Sequence, residues 1–264
     1  LTHRPFRRLL WPLTFMKKTL LAWVAVLLCM VTAGAAQRPN VVLVITDDQG
    51  YADFSFNPNH PKEVSTPHMD ALARQGVFFS NAYISGAVCS PTRAGLMLGR
   101  YQQRVGIYTA GQGGRGFNPR IPIFPSFLTG QYTSTAIGKW HLGHGGIHDP
   151  SGFDYWNVLP GQGVYHDPTM IEMGEEKVVP GYVTDVITDL SLGGLRKRDR
   201  SRPFCLLTHH KAPHRPWDPD EKHAGMYEDV DVPEPDTFND DYANRAQAAR
   251  NARNRIESLM NARD

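Results

Sequence analysis

Four short clusters of charged or nucleophilic residues each follow an apolar run of the sequence. The clusters are Asp47-Asp48, Cys89-Ser90-Pro91-Thr92-Arg93, Gly138-Lys139-Trp140-His141-Leu142-Gly143 and Lys211-Ala212-Pro213-His214-Arg215-Pro216-Trp217. The adjacent carboxylates of Asp47 and Asp48 repel each other unless a cation lies between them, and hard oxygen ligands favour Ca²⁺ or Mg²⁺. A pair of turn residues before Gly50 explains Asp47 and Asp48 equally well when they are considered alone.

The second cluster places a thiol where a helix is predicted to begin. A helix N-terminus favours the thiolate form of a cysteine such as Cys89, and Arg93, one turn further on, can stabilise an anion there. The simpler alternatives are a small buried cysteine beside a turn proline, or a disulfide between Cys89 and Cys205 in an exported protein.

The last two clusters each combine a cation with an imidazole. Lys139 and His141, and likewise Lys211 and His214, are suited to contacting an oxyanion, although a lone Lys or His is usually a surface group. All four clusters lie at the C-terminal ends of predicted strands or in the loops that follow, where open α/β sheets bind ligands. Together they predict one pocket with a metal, a nucleophile and several cations, which suits an enzyme acting on sulfate or phosphate.

The elements that would position these clusters alternate between strand and helix. Runs rich in apolar and β-branched residues predict the strands, while caps and flanking Pro or Gly residues predict the helices. The predicted strands are 40–46, 77–85, 133–138 and 204–209, and the predicted helices are 66–75, 91–98, 126–131 and 183–195. Three of the strands, 40–46, 133–138 and 204–209, are expected to be buried. This pattern predicts an α/β fold with a largely parallel sheet sandwiched by helices.

The composition excludes several other classes of protein. The chain has 264 residues with 28 Lys and Arg against 26 Asp and Glu, so its charge is too balanced for a polybasic nucleic-acid binder. We therefore expect no nucleic acid among its partners. Hydrophobic residues make up 41% of the sequence, which is too many for a disordered chain, and no repeat at solenoid spacing is present.

The N-terminal residues are predicted to be a targeting segment. Within residues 16–36, the basic Met16-Lys17-Lys18 precedes an apolar run that is too short to span a bilayer, which is typical of a signal peptide. Residues 1–15 precede this signal and are interpreted as a misread start. We expect export to a periplasm or to the outside, with no stable membrane insertion.

The remaining chain is predicted to have two parts. Residues 37–231 form the globular part that carries the four clusters, and residues 232–264 form a polar tail. From Asp240 onward the tail is expected to form a mostly solvent-facing helix. Its thin apolar stripe consists of Ile256, Leu259 and Met260.

From about Arg38 to about Trp217, the sequence resembles the type I, formylglycine-dependent sulfatases of the alkaline-phosphatase-like superfamily. The cluster from Cys89 to Arg93 matches the C-x-P-x-R signature of that family, and Gly99-Arg100 continues it. The segment 39–50 is similar to the family's opening strand, and the two later clusters are similar to two further family blocks. The resemblance implies an alkaline-phosphatase-like fold and sulfuric ester hydrolase activity.

The resemblance also implies cofactors. Cys89 would be converted to Cα-formylglycine by a formylglycine-generating enzyme, which removes Cys89 from disulfide chemistry. Asp47, Asp48 and the modified Cys89 would bind Ca²⁺, with Mg²⁺ as the alternative. One hydroxyl of the formylglycine hydrate would attack sulfur and expel the alcohol, and the second would expel sulfate, because a serine ester of sulfate hydrolyses only slowly.

The same resemblance implies roles for the cationic residues. Arg93 would bind the hydrate and stabilise the charge on the metal side of the site. Lys139 and His214 would bind sulfate oxygens. His141 would act on the formylglycine hydroxyl. The substrate would be a sulfated small molecule or glycan, since the cluster from Lys211 and the segment 152–156 resemble those of carbohydrate sulfatases.

Two departures from the family pattern leave alternatives open. Leu98 stands where Thr is common, and after Trp217 no predicted strand carries the family's remaining metal ligands, an Asp followed by Asn or His, or its further active-site Lys. We therefore expect residues 37–231 to be the N-terminal part of a sulfatase domain and the chain to be truncated. The alternatives are a phosphodiesterase or phosphonate monoester hydrolase with the same signature, and an inactive fragment that only binds sulfated glycan.

Overall fold

The computed structural model describes residues 38–113, 116, 118 and 120–252. The predicted misread start, the predicted signal peptide and the apolar stripe of the tail lie outside these residues. No helix in this described part of the chain is both long and apolar enough to cross a bilayer.

Within the described residues, a six-stranded sheet forms the centre of the fold. The strands are β1 (Val41–Ile45), β2 (Thr133–Lys139), β3 (Tyr155–Leu159), β4 (Thr169–Glu172), β5 (Glu175–Val178) and β6 (Phe204–His209). Their order across the sheet is β1-β6-β2-β3-β4-β5. The first four strands in this order are parallel, and β4 and β5 are antiparallel to their neighbours.

Helices follow most of the strands. The α-helices are α1 (Pro67–Gln75), α2 (Cys89–Leu98), α3 (Ala110–Gly113), α4 (Val183–Lys197) and α5 (Gln247–Arg250), and 3₁₀ helices lie at Gln102–Val105, Phe124–Leu128 and Gly146–His148. The predictions of α1, α2 and α4 are confirmed, whereas the helix predicted at 126–131 is a 3₁₀ helix that begins two residues earlier. Because α2 already begins at Cys89, the thiol belongs to its first turn.

Two apolar clusters pack on the two faces of the sheet. On one face, Leu207 of β6 belongs to a cluster with Met97 of α2, and on the other, Leu206 belongs to a cluster with Ile187 of α4. Consecutive residues of a strand point to opposite faces, so α2 and α4 cover opposite sides of β6. This arrangement confirms the predicted α/β sandwich with a largely parallel sheet.

Strand β1 is not buried on both faces as its sequence predicted. It lies at the edge of the sheet among the described strands, and Val41, Val42 and Val44 are 41%, 51% and 57% exposed. An apolar, β-branched sequence shows that a strand is able to bury both faces, but it does not show how many neighbours cover that strand. An edge strand can therefore carry the sequence pattern of a central one.

The prediction of a strand at 77–85 is wrong, because the chain has no regular secondary structure there. Val77 and Phe79 are 78% and 72% exposed, while Phe78 makes edge-to-face ring contacts with Phe54 and Phe56 at 5.8 and 5.2 Å between centroids. The β-propensity of these residues reflects their fit to a pleated surface. Within the described residues, no neighbouring strand offers them such a surface.

The opposite edge of the sheet and the tail also differ from expectation. Strands β3, β4 and β5 were not predicted, and all four residues of β5 are exposed, so its sequence shows no apolar alternation. In the tail, residues 232–246 have no regular secondary structure. Among the described tail residues, 232–252, only those of α5 are helical. The predicted helix therefore does not begin at Asp240.

Candidate active site

The register of the parallel strands brings the predicted clusters to one edge of the sheet. His209 of β6 pairs with Ile45 of β1 on one side and with Gly138 of β2 on the other, so the three strands end together. The residues that follow these strand ends are therefore neighbours. The backbone N–H of Asp47 confirms this closeness, since it donates to the carbonyl oxygen of Ala212 at 3.0 Å.

Gly138 allows β2 and β6 to approach at this edge. Its φ is +94°, which L side chains rarely adopt, and a Cβ at this position would lie 2.0 Å from the carbonyl oxygen of His209. Only glycine fits such a position, because it has no Cβ. The glycine before Lys139 therefore sets the direction in which the chain leaves β2.

Asp47 is the buried carboxylate of the site. It is 4% exposed, and its two oxygens face the ammonium of Lys139 and the guanidinium of Arg93, the latter at 3.4 Å. Burial alone would raise the pKa of Asp47, but Arg93 and Lys139 together hold it below its usual range. Two buried cations therefore share one buried carboxylate, which leaves an excess of positive charge.

Arg93 joins α2 to the ends of β2 and β6. Its guanidinium donates to the carbonyl oxygen of Lys139 and lies 3.3 Å from Nδ1 of His209. Burial, followed by the charge of Arg93, lowers the pKa of His209 to about 3, so this imidazole is neutral near pH 7. Its buried Nε2 has no hydrogen-bond partner among the described residues.

The predicted nucleophile lies against an imidazole. Sγ of Cys89 is 2.9 Å from Nδ1 of His141, and the hydroxyl of Ser90 donates to the backbone carbonyl oxygen of His141 at 2.9 Å. Cys89 is the first residue of α2, where backbone N–H groups lack intrahelical partners and favour negative charge. Cys89 and Cys205 are both free, and the two are not joined in a disulfide.

His141 is held in its neutral form. Burial lowers its pKa to about 4, and the positive charges of Lys139 and Arg93 act in the same direction. Its backbone is left-handed with φ 53°, a strained conformation for a residue other than glycine. A neutral imidazole held in this way can accept a proton from the side chain at position 89.

Asp48 and His214 form a more exposed pair at the same edge. Nε2 of His214 lies 3.5 Å from a carboxylate oxygen of Asp48, whose side chain is 57% exposed. Asp48 also has a left-handed backbone, with φ 62°. The structure thus places the seven predicted site residues in three contacting groups: Asp47, Arg93 and Lys139; Cys89 and His141; and Asp48 and His214.

The carboxylate oxygens of Asp47 and Asp48 are ligand atoms of the type that Ca²⁺ and Mg²⁺ prefer. Ca²⁺ takes about six to eight such ligands. In the described ranges, no three His, Cys, Asp or Glu side chains come together as a metal-binding group. Asp47 and Asp48 would therefore supply only part of such a ligand shell, and Asp48, the more exposed of the two, has the freer carboxylate.

Three further residues at this edge have no role implied by the resemblance, although Lys211 is predicted to be suited to contacting an oxyanion. Lys211 is 2% exposed, His209 contacts Arg93, and the amide oxygen of Gln162 accepts a hydrogen bond from Lys139. The sequence does carry a signal for Gln162, which lies between Gly161 and Gly163 just after β3. Because β3 was not predicted, the loop that carries Gln162 was not recognised as part of the strand-end edge.

Comparisons with known proteins agree with this arrangement. The family model described as Sulfatase matches residues 39–262, so the match continues well beyond Trp217, where the resemblance was expected to end. An N-acetylglucosamine-6-O-sulfatase of Bacteroides thetaiotaomicron is 38% identical over 228 residues, which cover 85% of this chain and 39% of that protein. The N-acetylgalactosamine-6-sulfatase of Homo sapiens is 31% identical over 230 residues, which cover 75% of this chain and 42% of that protein.

A solved structure gives the same result. A protein in complex with its substrate D-glucosamine-2-N,6-O-disulfate superimposes with a TM-score of 0.79 at 36% sequence identity, covering 85% of this chain and 44% of the other. The chain spans about two fifths of the length of the curated relatives that it matches. Since the family match covers most of the chain and the structural match has the same fold, the chain belongs to the sulfatase family, within the alkaline-phosphatase-like superfamily.

Proposed function

We propose that the protein containing this chain hydrolyses sulfate esters of carbohydrates. The observation that carries the proposal is the contact of Cys89 with His141 at a helix N-terminus, beside a cluster in which Arg93 and Lys139 outnumber the carboxylate of Asp47. A buried excess of positive charge favours a bound anion. The names of the relatives, which act on 6-sulfated amino sugars, support a sugar sulfate as the substrate class.

The proposal includes a modified residue and a metal. Cys89 is converted to Cα-formylglycine by a formylglycine-generating enzyme, and Asp47 and Asp48 bind Ca²⁺ or Mg²⁺ together with the modified residue. When present, the aldehyde hydrate would supply the nucleophilic hydroxyl for cleavage of the sulfate ester, and the cation would supply positive charge. The unmodified residues of this chain bind the sulfate group, orient it and accept a proton.

Each of these residues has a task that its surroundings support. His141, neutral because burial and two nearby cations lower its pKa to about 4, accepts a proton from the side chain at position 89. Lys139 and His214 bind sulfate oxygens. Arg93 keeps Asp47 ionised and places positive charge next to the first turn of α2.

A substrate panel tests the proposed function. The full-length protein, co-expressed with a formylglycine-generating enzyme, is offered N-acetylglucosamine 6-sulfate, N-acetylgalactosamine 6-sulfate, an aryl sulfate and an aryl phosphate diester. We expect sulfate release from a sugar sulfate that is lost in Cys89→Ala. Preferred hydrolysis of the diester would assign a phosphodiesterase instead, and glycan binding without turnover would assign a binding protein.

We also propose that the protein is exported. The support is the signal-like segment 16–36, in which a basic start precedes a short apolar run. Cell fractionation followed by N-terminal sequencing tests the proposal. We expect a periplasmic or secreted protein that begins near Ala36, and a cytosolic protein that retains Met16 would contradict export.

A further inference from the structure

Lys211 is a buried cation to which the described residues offer no carboxylate partner. It is 2% exposed, and its Nζ lies 4.6 Å from the ring centroid of Tyr165 and 3.5 Å from the carbonyl oxygen of Arg215. An ammonium group has three donors, and burying it without an acidic partner costs free energy. The mechanism proposed above gives Lys211 no task. The presence of a buried ammonium at this position therefore needs another explanation.

Lys211 lies within electrostatic reach of the active-site residues. Burial lowers the pKa of its ammonium, Lys139 lowers it further, and Asp47 and Asp48 act in the opposite direction. The position agrees with this, because Lys211 follows the end of β6 by two residues and its neighbour Ala212 accepts the hydrogen bond from Asp47. Lys211 is thus a third buried cation, after Arg93 and Lys139, at the same edge of the sheet.

Tyr165 connects Lys211 to His214. Its ring faces the ammonium of Lys211, and its hydroxyl donates to the carbonyl oxygen of His214 at 2.6 Å. The N–H of His214 in turn donates to the carbonyl oxygen of Lys211 at 3.0 Å. Through these three contacts, Lys211, Tyr165 and His214 each contact the other two. The ring of Tyr182 also stacks on that of Tyr165, with 5.6 Å between centroids. A shift of the ammonium would therefore disturb the backbone that carries the imidazole of His214.

We infer that Lys211 is a positioning residue for the sulfate group: through Tyr165 it fixes the segment that carries His214, and its unneutralised charge favours an anion at this edge of the sheet. The inference rests on the proposed function and adds to it a residue that no step of that mechanism uses. A sulfate group entering the site brings negative charge to an edge of the sheet where three buried cations, Lys211, Arg93 and Lys139, lie around one buried carboxylate, that of Asp47. The bound anion then offsets part of the cost of the buried ammonium.

Substitutions of Lys211 and Tyr165 test this inference in the full-length protein. Lys211→Met removes the charge at similar volume, Lys211→Arg keeps a cation that can still face the ring, and Tyr165→Phe removes only the hydroxyl. Lys177→Met is the matched control, because Lys177 lies on β5, four strand positions from β6, with its side chain 49% exposed. Titration calorimetry gives the affinity for inorganic sulfate, and steady-state kinetics gives kcat and KM for a sugar sulfate.

We expect Lys211→Met to weaken sulfate binding and to raise KM by about tenfold or more, since a hydrogen bond or contact to a charged group contributes this much, with a smaller change in kcat. Lys211→Arg should recover most of the affinity, and Tyr165→Phe should raise KM by a smaller factor. Lys177→Met should behave as the wild type. This separation of KM from kcat, with rescue by arginine, would not arise from a purely structural role.

The opposite results would overturn the inference. If Lys211→Met melts at a lower temperature but binds sulfate with wild-type affinity, Lys211 serves folding alone. If Lys211→Met does not fold, Lys211→Arg and Tyr165→Phe decide, and an unchanged KM in Tyr165→Phe contradicts the link to His214. If the wild type hydrolyses no sulfate ester, the proposed function fails separately, and the sulfate affinities of the wild type and the variants still decide the role of Lys211.

Discussion

Nδ1 of His141 lies 2.9 Å from Sγ of Cys89, although 52 positions separate the two residues in the sequence. The sheet supplies the imidazole, because His141 follows the end of β2, and the helix supplies the thiol, because Cys89 begins α2. The left-handed backbone of His141 costs on the order of 1 kcal/mol or more, and such strain concentrates at functional sites. The contact therefore depends on both elements being held by the core between them.

The two neighbouring carboxylates should respond differently to the loss of charge. Asp47→Asn leaves Arg93 and Lys139 buried without their carboxylate, so the free energy of unfolding should fall by about 3 kcal/mol or more. Asp48→Asn changes an exposed pair with His214 and should alter the free energy of unfolding by less than about 1 kcal/mol. Denaturant unfolding measures both values, and equal losses would contradict the buried pairing of Asp47.

Activity should depend on both carboxylates and on a divalent cation. Treatment with a chelator should abolish sulfate release, and added Ca²⁺ should restore it. Asp48→Asn should need a higher Ca²⁺ concentration for half-maximal activity, since it loses a charged oxygen ligand while keeping the fold. If the wild type keeps its activity in chelator and does not respond to Ca²⁺, the proposed divalent cation is contradicted.

An alanine at position 138 should disrupt the junction of β2 and β6. Because its Cβ would lie 2.0 Å from the carbonyl oxygen of His209, Gly138→Ala should lower the free energy of unfolding by about 3 kcal/mol or more. Gly130→Ala is the matched control, since Gly130 also has a positive φ, 75°, but open space around its Cβ. The control should lose only about 1 kcal/mol. Similar losses in the two variants would mean that the close approach of the strands is unimportant.

Acid should destabilise the fold through His209. The pKa of His209 is about 3 in the folded state against an ordinary value of 6.5, so below pH 6.5 the unfolded chain binds a proton that the folded chain does not. This group alone should remove about 1.4 kcal/mol of unfolding free energy per pH unit as the pH falls from 6.5 towards 3. His141 and His210, whose pKa values are also lowered by burial, act in the same direction.

Comparison with His209→Gln isolates that group. Denaturant unfolding from about pH 7 to about pH 4, which covers most of the interval between the ordinary pKa of 6.5 and the folded-state pKa of about 3, should show a shallower loss of stability in the variant than in the wild type. The variant's stability at pH 7 does not matter for this test, because only the slope is compared. Equal slopes would show that His209 is protonated to the same extent in the folded and unfolded chains.

Local patterns were sufficient to predict the elements that carry the site. The apolar run before Asp47, the Pro and Gly residues that flank α1 and the run that forms β6 each describe a short segment whose secondary structure follows from its own residues. The exposure of β1 and the irregular chain at 77–85 depend on which other segments lie beside them. β-branched residues do not carry that information, so the sequence alone predicted too much strand and too much burial.

The predicted site residues came from a resemblance and from their places after strands, whereas the contacts of Lys211 and Gln162 have no such signal in the sequence. Lys211 belongs to the predicted cluster of residues 211–217, yet its contact with Tyr165 depends on two loops that are distant in the sequence. Gln162 follows a strand that was not predicted. Burial of a lysine has no signature of its own in the sequence, because lysines are mostly exposed in folded proteins.

Cys89, once converted to formylglycine, is the proposed nucleophile of a sulfate ester hydrolase. The most direct measurement is mass spectrometry of the tryptic peptide that ends at Arg93, from full-length protein co-expressed with a formylglycine-generating enzyme, together with sugar-sulfate turnover by the same sample. We predict that an aldehyde replaces the thiol, that activity rises in proportion to the converted fraction, and that Cys89→Ala is inactive. Full turnover by protein whose Cys89 is unmodified or disulfide-bonded would contradict the claim.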